Sequence, residues 1–179
     1  MADKLKAIKR LNTWMNEKWE YGFILDGTRM TEEVANLDDL DWSAYHTIPV
    51  EELSKIKIGC CWDFVNYQHH VFKKYGISDK SYMFVSDLGD DGIQTHTFSI
   101  IRIDGKKYWV ESAFWKYRGV HEVNSYMDVV EKISTEGYDW DLYTYLPEVL
   151  DQNLSSKTFI DLTTRIKIAS HRKDDDNEL

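Results

Sequence analysis

The sequence contains very few of the residues that cross-link a chain or interrupt its regular structure. Among 179 residues there are 2 prolines and 2 cysteines, and the cysteines are neighbours, Cys60 and Cys61. Adjacent cysteines form only a strained disulfide, so we predict free thiols and a reducing compartment, the cytoplasm. A chain of this length can bury most of a core without disulfides or a structural metal. We therefore predict one domain over residues 1–170.

The chain also lacks long apolar runs and an excess of positive charge. No stretch approaches the ~20 apolar residues of a membrane span, and residues 1–6 show no apolar core of a signal peptide. The formal net charge is −9, from 31 acidic and 22 basic side chains. Because nucleic acids and anionic membranes attract basic surfaces, we predict neither as a partner.

Two acidic stretches are predicted to be solvated, and no metal or other cofactor is expected. Residues 86–92 carry three aspartates, but their spacing does not match an EF-hand and no Glu stands at its twelfth position. A role in selecting substrate charge is the alternative for that loop. Residues 171–179 are highly charged, which is typical of a disordered tail.

What is present is a candidate nucleophile at the start of an amphipathic helix. Apolar or semi-apolar residues recur with the spacing of a core-facing helix, and Gly76 ends the pattern. These residues are Cys61, Phe64, Val65, Gln68, Val71, Phe72 and Tyr75. Gly59 permits a tight entry into the helix. Cys61 then falls in the first turn, where free N–H groups and the helix dipole favour a thiolate and could hold an oxyanion.

A histidine and an acid follow on a predicted β-hairpin. The sequence alternates on both sides of Asp104-Gly105, which is the strongest two-residue hairpin signal. With that loop, His96 and Glu111 share one face as diagonal neighbours, with Cβ atoms roughly 7 Å apart. A three-residue loop would put them on opposite faces. The spacing thus predicts a hydrogen bond between imidazole and carboxylate.

The face that carries His96 is also apolar. It includes Phe98, Ile100 and Trp109, and we predict that these residues pack on the Cys61 helix. Such packing would bring the imidazole toward the thiol.

At these residues the chain resembles the transglutaminase-like superfamily of papain-like cysteine enzymes. The family has Gly-x-Cys-Trp-x-Phe opening a helix, a short run ending in Gly-Ile, then a His on one strand and an acid on the next. The matching residues, within roughly 56–115, are Gly59, Cys61, Trp62, Phe64, Gly76-Ile77, His96 and Glu111. Papain-type peptidases place the His about 130 to 150 residues beyond the Cys. Here the gap is only about 35 residues, which favours the transglutaminase-like branch.

The resemblance implies an α+β fold whose nucleophile helix packs on an antiparallel sheet, here with an extra N-terminal helix. It also implies a triad of Cys61, His96 and Glu111, although the family usually has Asp as the third member. The triad would act on an amide bond of a peptide or protein through a thioester. Water as acceptor would give a peptidase, isopeptidase or amidase, and an amine would give a transglutaminase or acyltransferase. Hydrolysis is slightly favoured because water needs no second pocket.

Other residues near the motif have predicted roles of their own. The tryptophans Trp62, Trp109 and Trp115 could wall a substrate cleft that excludes water. Cys60 precedes the helix pattern and is predicted to be a packed or exposed bystander. His69 and His70 have no second ligand four residues on, so we predict a solvated helix face for both. The second donor to the oxyanion is not identified by the sequence.

Two other functions stay open. Folds of this type also serve as non-catalytic protein-binding modules, and cysteine is often a small core residue. Arylamine-type N-acetyltransferases share the order of the triad, but no basic phosphate-binding patch is visible here.

Outside the motif, the pattern predicts further elements. Leu5 to Trp19 predicts a first helix, and a capping box at Ser125 and Asp128 predicts another helix to about Ile133. The remaining predictions are a short helix over 49–55, strands over 81–85 and 137–146, irregular structure over 26–48, and either helix or strand over 157–170.

Overall fold

The computed structural model describes residues 2–31, 33, 45–87, 93–134 and 141–145. The described residues form a mixed α+β protein with helices α1 (Ala2–Lys18), α2 (Val50–Ile56), α3 (Cys61–Lys74) and α4 (Tyr126–Ser134). The strands are β1 (Glu20–Leu25), β2 (Thr28–Thr31), β3 (Ile58–Gly59), β4 (Ser78–Asp87), β5 (Ile93–Ile103), β6 (Lys106–Glu111), β7 (Gly119–Val123) and β8 (Asp141–Tyr145). The predictions for residues 88–92, 157–170 and 171–179 lie outside the described residues.

The strands form two sheets. Five of them make an antiparallel sheet in the order β7-β6-β5-β4-β8, and β1 joins β2 and β3 in a sheet of three. Within the smaller sheet β1 runs antiparallel to β2 and parallel to β3. The α+β class is confirmed, and so are the helices predicted near 5–19, 49–55, 61–75 and 125–133.

The hairpin between β5 and β6 has the predicted register. Asp104 and Gly105 are the two loop residues, and both have positive φ, 53° and 79°, as a type I′ turn requires. Ile103 pairs with Lys106, and the ladder continues toward the site. His96 and Glu111 consequently lie on one face of the sheet, as predicted.

The two faces of this sheet pack on different helices. One face contributes Phe98, Ile100 and Trp109, which cluster with Val129 and Ile133 of α4. The other face packs against α1 and α3. Its cluster contains Ile8, Phe72, Ile77, Ile101, Ile103, Tyr108 and Val110.

The predicted packing of Phe98, Ile100 and Trp109 on the Cys61 helix is therefore wrong. Helix α3 covers the opposite face, through Phe72 and the Ile101 side of β5. Both faces of β5 and β6 carry apolar residues in this region. The sequence pattern therefore does not show which helix covers which face.

Residues 26–48, predicted to be irregular, begin with a strand that the prediction missed. Strand β2 pairs with β1 across Asp26 and Gly27, which have φ values of 49° and 78°. The prediction also missed β1, β3 and β7, which are six, two and five residues long. None of the helices in the described ranges is both long enough and apolar enough to cross a membrane.

Candidate active site

Cys61 is the first residue of α3, and the chain enters this helix through a tightly held turn. The Asp63 carboxylate accepts three hydrogen bonds, from the Cys60 N–H (3.1 Å), the Ile48 N–H (3.2 Å) and the Tyr45 hydroxyl (2.8 Å). Burial raises the pKa of Asp63 to about 6, while these hydrogen bonds favour its charged form. Asp63 thereby fixes the backbone from which the Cys61 side chain projects.

The glycine of the motif is explained by the same carboxylate. A Cβ atom at Gly59 would stand 2.6 Å from the Asp63 Cβ. Because real Cβ atoms do not approach so closely, a larger residue would displace Asp63 and the helix start with it. Gly59 is thus required by close packing, and not only by a tight turn.

His96 and Glu111 form a buried pair on neighbouring strands. His96 Nε2 lies 2.8 Å from Glu111 Oε2. The second carboxylate oxygen, Oε1, accepts hydrogen bonds from the backbone N–H groups of Ala113 (2.8 Å) and Phe114 (2.9 Å). The imidazole stacks against Phe98 and meets the edge of Phe114. Both the acid and the ring are therefore held in one orientation.

The His96 imidazole reaches the Cys61 thiol. The two side chains are hydrogen-bonded, and the Thr97 backbone N–H also donates to the sulfur. Since Glu111 holds Nε2, the ring nitrogen left for the sulfur is Nδ1. The structure thus brings Cys61, His96 and Glu111 together in the predicted order, although each is at least nine-tenths buried.

The electrostatics of the site favour a thiolate beside an imidazolium. Hydrogen bonds from Cys60 and His96, with the His96 charge, lower the pKa of Cys61 well below 9.0 despite the opposing effect of burial. Burial alone would lower the pKa of His96, but Glu111 and the Cys61 sulfur raise it to about 10. At neutral pH the proton shared by the pair then belongs to the imidazole.

Cys60 is buried, which is one of the two positions that the sequence predicted for it. Its thiol donates a hydrogen bond to the Cys61 sulfur, whereas burial raises the pKa of Cys60 itself, so that it keeps the proton that it donates. Of the two adjacent thiols, Cys60 keeps its proton and Cys61 loses its own. Sequence reasoning missed this contact because the helix pattern begins only at Cys61.

Tyr21 is a second residue that sequence reasoning missed. Its phenol oxygen accepts a hydrogen bond from the Cys61 N–H, and its hydroxyl also contacts the Cys61 sulfur. The contact depends on the parallel pairing of β1 with β3, which sets Tyr21 opposite Gly59. No local signal in the sequence predicts a pairing between strands that are so far apart in the chain.

Of the three tryptophans predicted to wall a cleft, only one is exposed. Trp62 and Trp109 are 3% and 0% exposed, so neither lines an open cleft. Trp109 packs against Phe98, Tyr117 and His121 instead. Trp115 is 74% exposed and lies in a short 3-10 helix just beyond Glu111. Of these three tryptophans, Trp115 is the one that is exposed enough to touch a bound molecule.

The histidine pair on α3 divides between core and surface. His70 is exposed as predicted, but the prediction for His69 is wrong. His69 is buried, and its Nδ1 lies 2.8 Å from Asp79 Oδ2 on β4. Among the described residues, no group of three or more His, Cys, Asp or Glu side chains could hold a metal ion.

The structure also contains a cavity of about 470 Å³. It is bordered by α1, α2 and α3, and Trp14, Tyr67 and His70 contribute to its lining. None of the three triad residues lines it, so the cavity and the triad are separate features.

The sequence was compared with protein-family models and with curated proteins. No protein-family model matches the chain. No curated protein matches it at a significant level either. The assignment of a function consequently depends on the chemistry of the site.

Proposed function

We propose that this protein is a cysteine-dependent acyl-transfer enzyme of the transglutaminase-like type, which acts on amide bonds of peptides or proteins through a thioester. One observation carries the proposal. Cys61, at the start of a helix, is hydrogen-bonded to His96, and His96 is bonded in turn to the buried Glu111. Nucleophile, base and orienting acid in hydrogen-bond reach are the parts that this chemistry needs.

The chemistry follows from the proton positions. The Cys61 thiolate attacks the carbonyl carbon, a C–S bond forms, and the π electrons move to the oxygen. The Cys61 N–H at the helix start donates to that oxyanion. On collapse the C–N bond breaks, and the leaving amine takes the proton from His96 Nδ1. Water, which gives a proton to the neutral His96 as it attacks, then hydrolyses the thioester, and expulsion of the sulfur releases the acid and restores the thiolate–imidazolium pair.

The arrangement of elements supports a papain-like core. The nucleophile helix α3 packs on the antiparallel sheet, the His strand and the acid strand are hairpin neighbours, and α1 is an N-terminal addition. Glu111 replaces the usual Asp, and its extra methylene lets Oε1 bind two backbone N–H groups while Oε2 holds the imidazole.

Hydrolysis is the favoured reaction, and the thiols and the net charge of the chain indicate a compartment and a class of substrate. Water needs no acceptor pocket beyond the triad. Two free thiols fit the reducing cytoplasm. The net charge of −9 favours a neutral or basic substrate over nucleic acid.

The proposal is tested by trapping the acyl-enzyme. The protein is mixed with p-nitrophenyl acetate, quenched with acid and mapped by mass spectrometry. We expect one acetyl group on Cys61 of the parent and of Cys60→Ala, which loses the hydrogen bond to the sulfur but keeps the nucleophile, and none on Cys61→Ala. A peptide amide library, with and without a fluorescent amine, then separates hydrolysis from transfer.

The non-catalytic alternative gives a different result. Cys61 is only 5% exposed, and a binding module with a sealed thiol would show no acetylated Cys61 at any pH. Acetylation of Cys60 in place of Cys61 would equally contradict the proposal.

A further inference from the structure

We propose that Tyr21 is the second donor to the oxyanion: its phenol hydroxyl, together with the Cys61 N–H, binds the oxygen that becomes negative when Cys61 attacks a carbonyl. This inference rests on the proposed function. It assigns a catalytic role to a residue of the small sheet, outside the cysteine, histidine and acid motif.

The position of the Tyr21 ring is set by two separate contacts. The backbone of Tyr21 is paired with Gly59, two residues before the nucleophile. Its ring meets Phe64 edge to face, with the ring centroids 6.2 Å apart. Phe64 lies one helical turn beyond the start of α3. These contacts hold the phenol beside the first turn of the helix.

The hydroxyl touches both atoms on which a tetrahedral intermediate depends. It accepts a hydrogen bond from the Cys61 N–H and contacts the Cys61 sulfur, which carries the intermediate. The N–H is the first oxyanion donor and turns from the phenol oxygen to the carbonyl oxygen when a substrate binds. A group in contact with both lies near the position that the oxyanion will occupy, as a donor in an oxyanion hole must.

The movement of charge during attack explains how one hydroxyl serves two acceptors. Before attack the negative charge is on the sulfur, and the Tyr21 proton points to it. When the C–S bond forms, the sulfur becomes neutral and the charge passes to the carbonyl oxygen, two bonds away. The sulfur is then a weak acceptor, so the hydroxyl proton turns to the oxyanion.

Tyr21 also retains its proton under working conditions. Burial, and then the negative charge of Cys61, raise the pKa of Tyr21 well above 10.0. A phenol that stays neutral beside a thiolate can only donate to the developing anion. It does not compete with His96 as a base.

The test compares two reactions of the same sulfur. Acetylation by p-nitrophenyl acetate passes through an oxyanion: the C–S bond forms, and p-nitrophenolate leaves with the electron pair of the C–O bond. Alkylation by iodoacetamide displaces iodide at a saturated carbon and forms no oxyanion. Both rates are measured at a pH where the parent and the variant are fully thiolate.

Tyr21→Phe keeps the ring on Phe64 and removes only the hydroxyl. We expect its acetylation rate to fall about 10²-fold, the usual effect of losing one oxyanion donor, with alkylation unchanged or somewhat faster because the thiolate loses the hydrogen bond from Tyr21. The matched control is Tyr67→Phe, because Tyr67 packs in the same apolar cluster as Tyr21. This control should leave both rates at the parental value.

Each other outcome overturns the assignment. An equal fall in both rates would mean that Tyr21 acts on the thiolate, and unchanged or faster acetylation would mean that the hydroxyl does not donate to the oxyanion. If the parent is alkylated but never acetylated, the proposed function itself fails, and the role of Tyr21 fails with it.

Discussion

Two buried histidine–carboxylate pairs in this molecule have nearly the same geometry. His96 and Glu111 approach to 2.8 Å, and so do His69 and Asp79. The side chains are 11% and 1% exposed in the first pair and 10% and 6% exposed in the second. Neither distance nor burial distinguishes a candidate catalytic pair from a structural one.

The two pairs differ in the group that lies on the other side of the imidazole ring and in the ring nitrogen that the carboxylate contacts. Glu111 holds Nε2 of His96, and the ring reaches the Cys61 sulfur at a helix start. Asp79 holds Nδ1 of His69, which lies in the middle of α3 and ties that helix to β4. The comparison indicates that the reactivity expected of the site comes from a thiol at a helix N-terminus, and not from the histidine–carboxylate pair.

The largest expected contrast comes from replacing each histidine with glutamine, whose amide can still donate to the carboxylate. His96→Gln removes the positive charge beside Cys61, so the midpoint of alkylation against pH should rise toward the free value of about 8.5. At about pH 5.5, iodoacetamide should then react at least tenfold more slowly, even after allowing for the greater nucleophilicity of a more basic thiolate. Peptide mapping after timed alkylation gives the rate at Cys61.

His69→Gln is the matched control for that experiment. It should leave the alkylation midpoint at the parental value, while unfolding in urea shows a loss of about 1–3 kcal/mol because a buried hydrogen-bonded pair is weakened. A midpoint that moves equally in the two variants would show that Cys61 does not sense His96 in particular.

Local signals in the sequence were sufficient to predict that His96 and Glu111 form a pair. The Asp104-Gly105 turn fixes the register of β5 and β6, and the register places His96 and Glu111 on one face. The same Asp-Gly signal stands at Asp26-Gly27, where it joins β1 to β2. It was overlooked there because the acidic residues that follow suggested an irregular segment.

The remainder of the site depends on contacts between distant segments. Tyr21 reaches Cys61 only because β1 runs parallel to the two-residue strand β3, and a strand so short has no periodicity to detect. The burial of His69 depends on Asp79 lying opposite it on β4. Single-sequence patterns describe faces of elements, and they do not specify which element covers each face.

A smaller contrast is expected when each acid is replaced with its amide. Glu111→Gln can keep the Oε1 contacts to the N–H groups of Ala113 and Phe114 and loses the charge. Burial disfavours the imidazolium, and the Glu111 charge that offsets this effect is now absent. The pKa of His96 should therefore fall, and the alkylation midpoint of Cys61 should rise by roughly one pH unit. Asp79→Asn, as the control, should leave that midpoint unchanged. A Glu111→Gln profile identical to that of the parent would mean that the acid only positions the ring.

The smallest effect concerns stability against pH, and it asks whether Glu111 keeps His96 protonated once the Cys61 sulfur is removed. In the parent, the raised pKa of His96 stabilises the fold fully below 6.5, and this contribution is lost as the pH rises toward about 10. The lowered pKa of Cys61 stabilises the fold fully above 9.0, and this contribution is lost as the pH falls through the lowered value. Between pH 6.5 and 9.0 the folded pair and the unfolded chain therefore hold one proton each, so the two slopes cancel.

Cys61→Ala removes the Cys61 contribution, and Glu111 alone then raises the pKa of His96, so the cancellation should disappear. From pH 6.5 toward 9, the free energy of unfolding of the variant should fall relative to the parent by at most about 1.4 kcal/mol per pH unit. Urea unfolding of both proteins at several pH values measures this difference, in which the contributions of groups that do not contact Cys61 cancel. Parallel curves would mean that Glu111 alone does not keep His96 protonated above pH 6.5 once the sulfur is removed.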